Sequence, residues 1–354
     1  MRNWRPCRRK RGGGGGKLHS TTRLRDVDLV SVIGPLARSP SAMKFWQALL
    51  PSITVFTAVA NAVVGPGVVT GNTVVHDPTM CKDSSGKWFV FSTAPGIEIR
   101  TSTDRTAWTL VGKVWPNGAS WTDTYTLTSN GNLWAPDCTV IGSTFYLYYA
   151  ASSFGSQRSA IFFAKSSTGM PGSWTNQGLV TETFPGDSYN AIDPNLIIDG
   201  SNWYLALGSF WTGIKLMKLS SSTGKPSSTS VTALAQRFTA SGAIEAASVF
   251  KSGSFWYLFT SWDKCCSGTS STYNIRVGRS SSPTGPFVDQ AGVALTSGGG
   301  TLVLGTHDNI VGPGGQDVMA DGDGPILVYH YYTSSGNFLG INKLDFSSGW
   351  PVVV

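Results

Sequence analysis

The chain has 354 residues, of which 41% are hydrophobic and 12% aromatic, so it can bury a large core. Its 42 glycines and its few apolar runs at helical spacing are typical of an all-β protein and argue against a helical one. The net charge of +7 is concentrated at the start: residues 1–42 contain ten Lys or Arg and two Asp, which leaves a net charge of −1 for the rest and does not favour a nucleic-acid partner.

The basic leader, residues 1–42, has five consecutive glycines and no apolar periodicity, so we expect it to be disordered. Residues 43–62 begin with Met43 and one lysine, continue with an apolar run and end in Ala-Asn-Ala, which has the form of a signal-peptidase site. A membrane anchor is the alternative, but the run is short and Pro51 interrupts it.

A secretory signal normally lies at the start of its chain, so we interpret residues 1–42 as an extension of the gene model. We predict a secreted, extracellular protein, free of the membrane after cleavage, whose folded domain comprises residues 63–354. Cleavage leaves four cysteines, Cys81, Cys138, Cys265 and Cys266. They can pair in three ways, among which the sequence does not choose.

Five aromatic and β-branched runs repeat along the predicted domain. They are GKWFVFSTA (86–94), STFYLYYAAS (143–152), SNWYLALGSF (201–210), SFWYLFTSW (254–262) and PILVYHYYT (325–333). Successive runs begin 57, 58, 53 and 71 residues apart, with turn-rich sequence between them. A repeat of this length fits a propeller blade of four strands, so the sequence predicts a five-bladed β-propeller.

A shorter segment precedes each run, and in the first four repeats it contains an acid: Asp77, Asp137, Asp193 and Glu245. Equivalent positions of successive blades lie around the propeller axis, so we expect these acids to converge at one end of the central channel. Each acid alone could form a turn, and the group could instead stabilise the channel or bind a cation. Like charges in one pocket raise one another's pKa, which usually marks a functional site. Asp137, in apolar surroundings, is the best structural candidate.

An ordered set of motifs resembles the family 43 glycoside hydrolases, and within them the secreted fungal endo-1,5-α-L-arabinanases. The motifs are HDP (76–78), LWAPD (133–137), YNAIDPN (189–195), GSFW (208–211), IEAAS (244–248) and LGINKLDFSSGWPVV (339–353). The resemblance covers residues 74–354. It implies a five-bladed propeller and an inverting hydrolase of arabinan, the polysaccharide side chain of pectin, and we expect a monomer whose chemistry needs no cofactor.

The resemblance also implies roles for the acids. Asp77 corresponds to the general base, Glu245 to the general acid, and Asp193 to the residue that tunes the pKa of Glu245 and orients it. Inversion requires one ionised carboxylate to activate water and one protonated carboxyl to protonate the leaving oxygen. A third carboxylate beside the acid favours its protonated form.

Other residues of the same motifs are candidates for substrate binding, namely His76, Trp134, Asn190, Ser209 and Trp211. Sugar rings present apolar C–H faces that pack on indoles, although Trp134 and Trp211 could instead belong to the core between blades. Trp211 is the stronger candidate, because GSFW follows the strand downstream of Asp193.

One motif departs from the family. Many relatives have GPGH in the last blade, with a histidine that serves a central cation, whereas this chain has GPGGQ with Gln316 at that position. His307 could serve as a metal ligand instead, for a structural calcium or sodium ion in the channel, or it could cap a turn. Two alternative functions also stay open: an exo-acting α-L-arabinofuranosidase or β-xylosidase, and a non-catalytic propeller that binds carbohydrate.

Overall fold

Strands dominate the computed structural model, which describes residues 64–354. They form five sheets, one per predicted repeat. The first blade and the start of the second contain β1 (Thr70–Gly71), β2 (Thr79–Lys82), β3 (Trp88–Ser92), β4 (Ala94–Pro95), β5 (Glu98–Ser102) and β6 (Ala107–Lys113). Strands β2, β3, β5 and β6 are antiparallel neighbours in that order. Strand β1 adds to β6, and β4 pairs with the second sheet.

The remaining blades are four-stranded antiparallel meanders in chain order. The second contains β7 (Asn132–Ile141), β8 (Thr144–Ser152), β9 (Ser159–Ser166) and β10 (Trp174–Thr183). The third contains β11 (Asn195–Asp199), β12 (Asn202–Leu207), β13 (Ile214–Ser220) and β14 (Lys225–Ala235). The fourth contains β15 (Ile244–Ser252), β16 (Phe255–Trp262), β17 (Asn274–Ser280) and β18 (Thr301–Leu304). The fifth contains β19 (Val311–Asp321), β20 (Gly324–Thr333), β21 (Gly336–Asp345) and β22 (Val352–Val353).

Helical structure is confined to connections. The short helix α1 (Asp123–Thr126) precedes the second blade, and 3-10 turns occur at Ser120–Thr122, Ala240–Gly242, Gly268–Ser270 and Leu295–Ser297. Among residues 64–354, none of these helices has the length and apolar character that crossing a membrane requires. The predicted five-bladed propeller is confirmed, and each predicted aromatic run overlaps the second strand of a blade. The leader and the signal peptide lie outside the described residues.

Buried apolar side chains form five clusters, one between each pair of neighbouring blades. The cluster between the last blade and the first contains Val75, Val90, Ile326 and Val328. Burial of such side chains is the main contribution to stability, at about 25 cal/mol for each Å² of apolar surface removed from water. The core is therefore divided among the blade interfaces, and the axis is left for polar groups.

Each blade begins with the same local geometry at the axis. One residue adopts a left-handed φ of 40–57° at the start of each inner strand: Asp77, Ala135, Asp193, Ala246 and Gly315. Two residues later comes a buried polar side chain, at Thr79, Asp137, Asn195, Ser248 and Asp317. At Gly315 only glycine fits, because a Cβ atom would lie 2.3 Å from Oδ1 of Asp77.

These five polar side chains link the blades in a closed ring. Each accepts a hydrogen bond of 2.8–3.2 Å from a backbone N–H of the next blade; the donors are Cys138, Leu196, Val249, Val318 and Met80, in blade order. The last bond runs from Met80 in the first blade to Asp317 in the fifth and closes the propeller. Buried polar groups need such partners, and here the pairing connects neighbouring sheets.

The ring corrects one expectation. Asp137 is not equivalent to Asp77 and Asp193. Those two acids occupy the left-handed position of their blades, whereas Asp137 lies two residues beyond the left-handed position of its own blade. The carboxylate of Asp137 accepts hydrogen bonds from Asn195 Nδ2 at 2.9 Å and from the N–H of Leu196 at 2.8 Å. Asp137 thus belongs to the structural ring, and burial raises its pKa to about 8.

The disulfide question is also resolved. Cys81 on β2 pairs with Cys138 on β7, which joins the inner strands of the first two blades, and both residues are buried. The adjacent Cys265 and Cys266 pair with each other.

Candidate active site

The three acids of the catalytic prediction line one cleft at the end of the channel where the inner strands begin. Asp77, Asp193 and Glu245 border a cavity of about 240 Å³. Asp77 and Asp193 precede β2 and β11, and Glu245 is the second residue of β15. All three are half-buried, so each faces the cleft and retains contact with solvent.

Asp77 is held by neighbouring side chains of the first blade. Thr93 Oγ1 donates to its Oδ2 at 3.1 Å, and the same hydroxyl accepts the N–H of Ala135 at 2.9 Å. The Nε2 atom of His76 lies 3.5 Å from the Oδ2 atom of Asp77. These contacts fix a carboxylate oxygen at the mouth of the cleft, as a residue that activates water requires.

His330, which was not among the predicted site residues, lies directly behind Asp77. It is fully buried on β20, and its Nδ1 accepts the backbone N–H of Asp77 at 3.1 Å. Its other nitrogen, Nε2, therefore carries the proton and donates to Tyr332 Oη at 3.0 Å. Burial, reinforced by His76, lowers the pKa of His330 well below its usual value, so the ring is neutral.

Glu245 has two hydroxyl partners. Tyr273 Oη donates to its Oε1 at 2.7 Å, and Ser209 Oγ donates to its Oε2 at 2.8 Å. Burial raises the pKa of Glu245, and these two hydrogen bonds oppose that rise because they favour the carboxylate. Burial beside Glu245 in turn raises the pKa of Tyr273 well above its usual value, so Tyr273 keeps its proton and remains a donor.

Asp193 is coupled to Glu245. Burial raises the pKa of Asp193 well above its usual value, and the charges of Glu245 and Asp77 raise it further. Its Oδ2 accepts the N–H of Ala246, the residue after Glu245, at 3.0 Å. Asp193 is thus joined to the backbone that carries Glu245, and the two carboxyl groups resist simultaneous ionisation.

The fit of the channel to a cation can be judged from its polar side chains. Among residues 64–354, His76, Asp77 and His330 could bring metal-ligand atoms within 4.8 Å of one another. The Nδ1 atom of His330 already accepts a backbone N–H, however. The amide of Gln316 bonds to Ser261 and to the carbonyl of Ala246. These side chains therefore do not fit as direct ligands of an ion, and no step of the proposed mechanism uses one.

His307 lies in the connection that precedes β19. Its Nδ1 is 2.9 Å from the carbonyl oxygen of Gly305 in the same connection, and it is not part of the group formed by His76, Asp77 and His330. Its role as a metal ligand stays a prediction.

Aromatic side chains extend the cleft. Trp134 and Phe154 line the catalytic cavity and also a neighbouring cavity of about 420 Å³, which Trp211 and Glu245 border as well. Phe154 is 85% exposed and Trp211 is 40% exposed. A phenyl ring so exposed beside a cleft suits an apolar face of a ligand. Phe154 was not among the predicted site residues, because nothing in its local pattern distinguishes it from a residue of a turn.

Two further predicted substrate-binding residues are engaged within the protein. Asn190 is buried, and its Oδ1 accepts a hydrogen bond from Ser159 at 2.6 Å. Ser209 donates to Glu245. Both line the 420 Å³ cavity, so they can shape it whether or not they touch a ligand.

Comparison with known proteins gives a consistent result. The sequence profile described as "Glycosyl hydrolases family 43" matches residues 68–351. A protein of Aspergillus flavus named "Probable arabinan endo-1,5-alpha-L-arabinosidase A" is 41% identical over 325 residues, which cover 87% of this chain and all of the relative. A Bacillus subtilis protein named "Extracellular endo-alpha-(1->5)-L-arabinanase 1" is 40% identical over 318 residues, 87% of this chain and 96% of the relative.

Solved structures share the architecture. The crystal structure of an exo-1,5-α-L-arabinanase from a bovine ruminal metagenomic library superposes with a TM-score of 0.75 and 35% identity, covering 79% of this chain and 97% of that one. The propeller thus resembles proteins named for both endo and exo action.

Proposed function

The chain belongs to glycosyl hydrolase family 43 and is a glycoside hydrolase, and from that premise we propose that it cleaves α-1,5-linked L-arabinan at internal linkages by an inverting acid–base mechanism. The observation that carries this proposal is the convergence of Asp77, Asp193 and Glu245 on one cleft flanked by Trp134 and Phe154. A protein that only binds carbohydrate has no need of a spaced acid and base.

In the proposed mechanism, Asp77 accepts a proton from the attacking water while Glu245 protonates the oxygen of the departing sugar. Thr93 and His330 hold Asp77 in position. Burial, followed by the charge of Asp77, raises the pKa of Glu245 and favours its protonated form. The tuning role of Asp193 is part of this proposal and is supported by its coupling to Glu245. Glu245 borders both cavities, so the cleft provides room for sugars beyond the one at Asp77.

Action within the polymer is supported by the extent of the cleft. From Trp134 and Phe154 it continues past Glu245 to Trp211 and, on another side, into a cavity bordered by Asn130. A polysaccharide can pass through a cleft that continues in more than one direction. The similarity to a protein named as an exo-arabinanase keeps exo action as the second candidate.

Product analysis tests the proposal. Linear α-1,5-arabinan, an aryl α-L-arabinofuranoside and an aryl β-D-xyloside are each incubated with the protein. Endo action yields a range of oligosaccharides at early times and a rapid fall in viscosity. Release of one short product from the start would establish exo action, turnover of the aryl glycosides alone would indicate an arabinofuranosidase or xylosidase, and binding without cleavage would establish a carbohydrate-binding propeller.

We also propose that the protein is a secreted monomer, without membrane attachment or a nucleic-acid partner. The apolar run after Met43 and the extracellular relative from Bacillus subtilis support secretion. Sequencing of the secreted protein should begin near Val63, and a first residue within positions 1–42 would contradict the interpretation of the leader. Dialysis against a chelator, followed by a measurement of activity and thermal midpoint, tests whether the channel binds the predicted structural cation.

A further inference from the structure

The connection between β16 and β17, residues 263–273, carries the disulfide between the adjacent Cys265 and Cys266. We call this segment the cystine loop. Its first residue, Asp263, forms an ion pair of 2.6 Å with Arg237. The N–H of Asp263 also donates a hydrogen bond to the carbonyl oxygen of Ala243, which directly precedes the fourth blade. The loop is therefore anchored at its base while its disulfide projects toward the cleft.

The disulfide forms part of the wall of the catalytic cavity. Half-buried Cys265 and exposed Cys266 line the same 240 Å³ cavity as the three acids. The Sγ atom of Cys266 lies 3.6 Å from Nε2 of His76, the neighbour of Asp77. The other disulfide differs in this respect, since its two cysteines are only 5% and 6% exposed.

The chemistry of this wall differs from that of the groups around it. Bonding between neighbouring cysteines closes an eight-membered ring, which has little conformational freedom. Its sulfur atoms are polarisable, carry no proton and accept hydrogen bonds only weakly. Beside the imidazole of His76 and the carboxylate of Asp77, the disulfide is therefore a preformed apolar surface of the kind that a C–H face of a sugar ring can contact.

Hydrogen bonds fix this surface relative to Asp77. The N–H of Cys266 donates to Tyr332 Oη at 2.9 Å, and the same oxygen accepts from His330 Nε2 at 3.0 Å. His330 in turn accepts the N–H of Asp77. Tyr332 and His330 thus connect the cystine loop to the residue that would activate water.

We propose that the Cys265–Cys266 disulfide contacts the substrate, packing against the sugar ring that binds beside His76 and Asp77. This inference rests on the proposed function, which supplies the sugar. An ordered, apolar wall costs little conformational entropy when a ligand binds, so opening the disulfide should weaken binding. Because one ring touches the wall, the loss should be the same for short and long oligosaccharides.

The experiment measures binding before and after selective reduction. The inactive variant Glu245→Gln is titrated calorimetrically with α-1,5-arabinotriose and with arabinohexaose, in oxidised form and after mild treatment with a phosphine. The phosphine is oxidised to its oxide with an oxygen from water, and the disulfide gains two protons and two electrons to give two thiols. Alkylation and mass spectrometry verify that only Cys265 and Cys266 have reacted.

We expect reduction to raise Kd about tenfold for both oligosaccharides, equivalent to about 1.4 kcal/mol, with little change in thermal midpoint. The double substitution Cys265→Ser, Cys266→Ser should reproduce the effect without a reductant. The matched control, Cys81→Ser with Cys138→Ser, should lower the thermal midpoint and leave Kd unchanged.

Two results would overturn the inference: a Kd that reduction leaves unchanged, or a loss that is greater for the hexaose than for the triose, which would indicate a general loosening of the cleft. Failure of the proposed function has a different signature. If the oxidised protein bound neither oligosaccharide, both proposals would be wrong, whereas binding that is insensitive to reduction would remove only this one.

Discussion

The backbone N–H of Asp77 donates a hydrogen bond of 3.1 Å to Nδ1 of His330, a residue 253 positions later in the chain. The bond joins the first blade to the fifth at the mouth of the cleft and holds Asp77 in its left-handed conformation, with φ of 43°. Such a conformation persists in a residue other than glycine only where its surroundings enforce it. His330 is therefore a positioning residue for Asp77.

Removal of either carboxylate should abolish most activity. We expect Asp77→Asn and Glu245→Gln each to reduce turnover of linear arabinan by about 10²- to 10⁴-fold, because each removes one proton transfer and keeps the shape of the side chain. The thermal midpoint should change little, since both side chains are half-buried in an open cleft. Measurements of kcat and of the thermal midpoint test this, and near-normal turnover in either variant would remove that residue from the chemistry.

The alkaline limb of the activity profile should move in opposite directions in two variants. Activity requires protonated Glu245, so it falls as pH rises through the pKa of Glu245. The hydrogen bond from Tyr273 lowers that pKa, so Tyr273→Phe should move the limb to higher pH. Coupling between charges is mutual, and Glu245 raises the pKa of Asp193. Asp193→Asn should therefore lower the pKa of Glu245 and move the limb to lower pH.

Profiles of kcat against pH for the wild type and both variants provide the measurement. Asp193 also lies directly before Pro194, where it could act mainly as a turn former. In that case Asp193→Asn would lose thermal stability with an unmoved limb. If the alkaline limb moved in the same direction in both variants, the assignment of Glu245 as the acid would be contradicted.

Phe154 should contribute to substrate binding. Its ring is 85% exposed and borders both cavities beside Glu245. Loss of one aromatic contact should raise KM for arabinan about tenfold in Phe154→Ala, with a smaller change in kcat. Phe238, which is 67% exposed and lies outside both cavities, provides the control, and Phe238→Ala should leave KM unchanged. Equal values of KM in the two variants would exclude Phe154 from the binding surface.

The hydrogen-bonded ring at the axis should contribute to stability. Thr79 Oγ1 donates to Asp317 at 2.7 Å and accepts the N–H of Cys138 at 3.1 Å. Thr79→Val leaves the buried N–H of Cys138 without a partner and removes one of the hydrogen bonds to the buried carboxylate of Asp317, which should lower the free energy of unfolding by about 2 to 3 kcal/mol. Thr79→Ser keeps the hydroxyl and should cost much less. Urea unfolding followed by tryptophan fluorescence compares the two variants, and equal losses would contradict the prediction, because they would show that the methyl group matters as much as the hydroxyl.

The fold was predictable because each blade repeats one strong local signal. Runs such as 143–152 and 254–262 combine aromatic and β-branched residues between turns, and they form β8 and β16. The position of Asp137 was not predictable to the same accuracy. Its spacing from Asp77 and Asp193 is nearly regular, but the connections differ in length, so a shift of two residues along the inner strand is invisible to a count. In the structure, a shift of two residues decides whether a side chain lines the cleft or belongs to the hydrogen-bonded ring.

The hydrogen-bond partners of the acids could not be predicted from the sequence, for a similar reason. Tyr273 is the last residue of the cystine loop and His330 lies within an aromatic strand run, so neither has a local pattern that differs from its surroundings. Their contacts with Glu245 and Asp77 arise only when strands of the same blade or of neighbouring blades meet at the axis. Motifs identified the acids, whereas the geometry that holds them required the folded chain.

The stereochemistry of the first product tests the proposed mechanism most directly. If Asp77 activates water on the face of the sugar opposite to Glu245, the new reducing end has the β configuration, although the cleaved linkage is α. Proton NMR of arabinohexaose hydrolysis at high enzyme concentration should show the β anomer first, before mutarotation produces the α anomer. An α anomer that appears first would require two displacements and a nucleophile, which would remove the base role from Asp77. In that case His330 would hold a nucleophile in place rather than a base, because its hydrogen bond to the N–H of Asp77 serves either role.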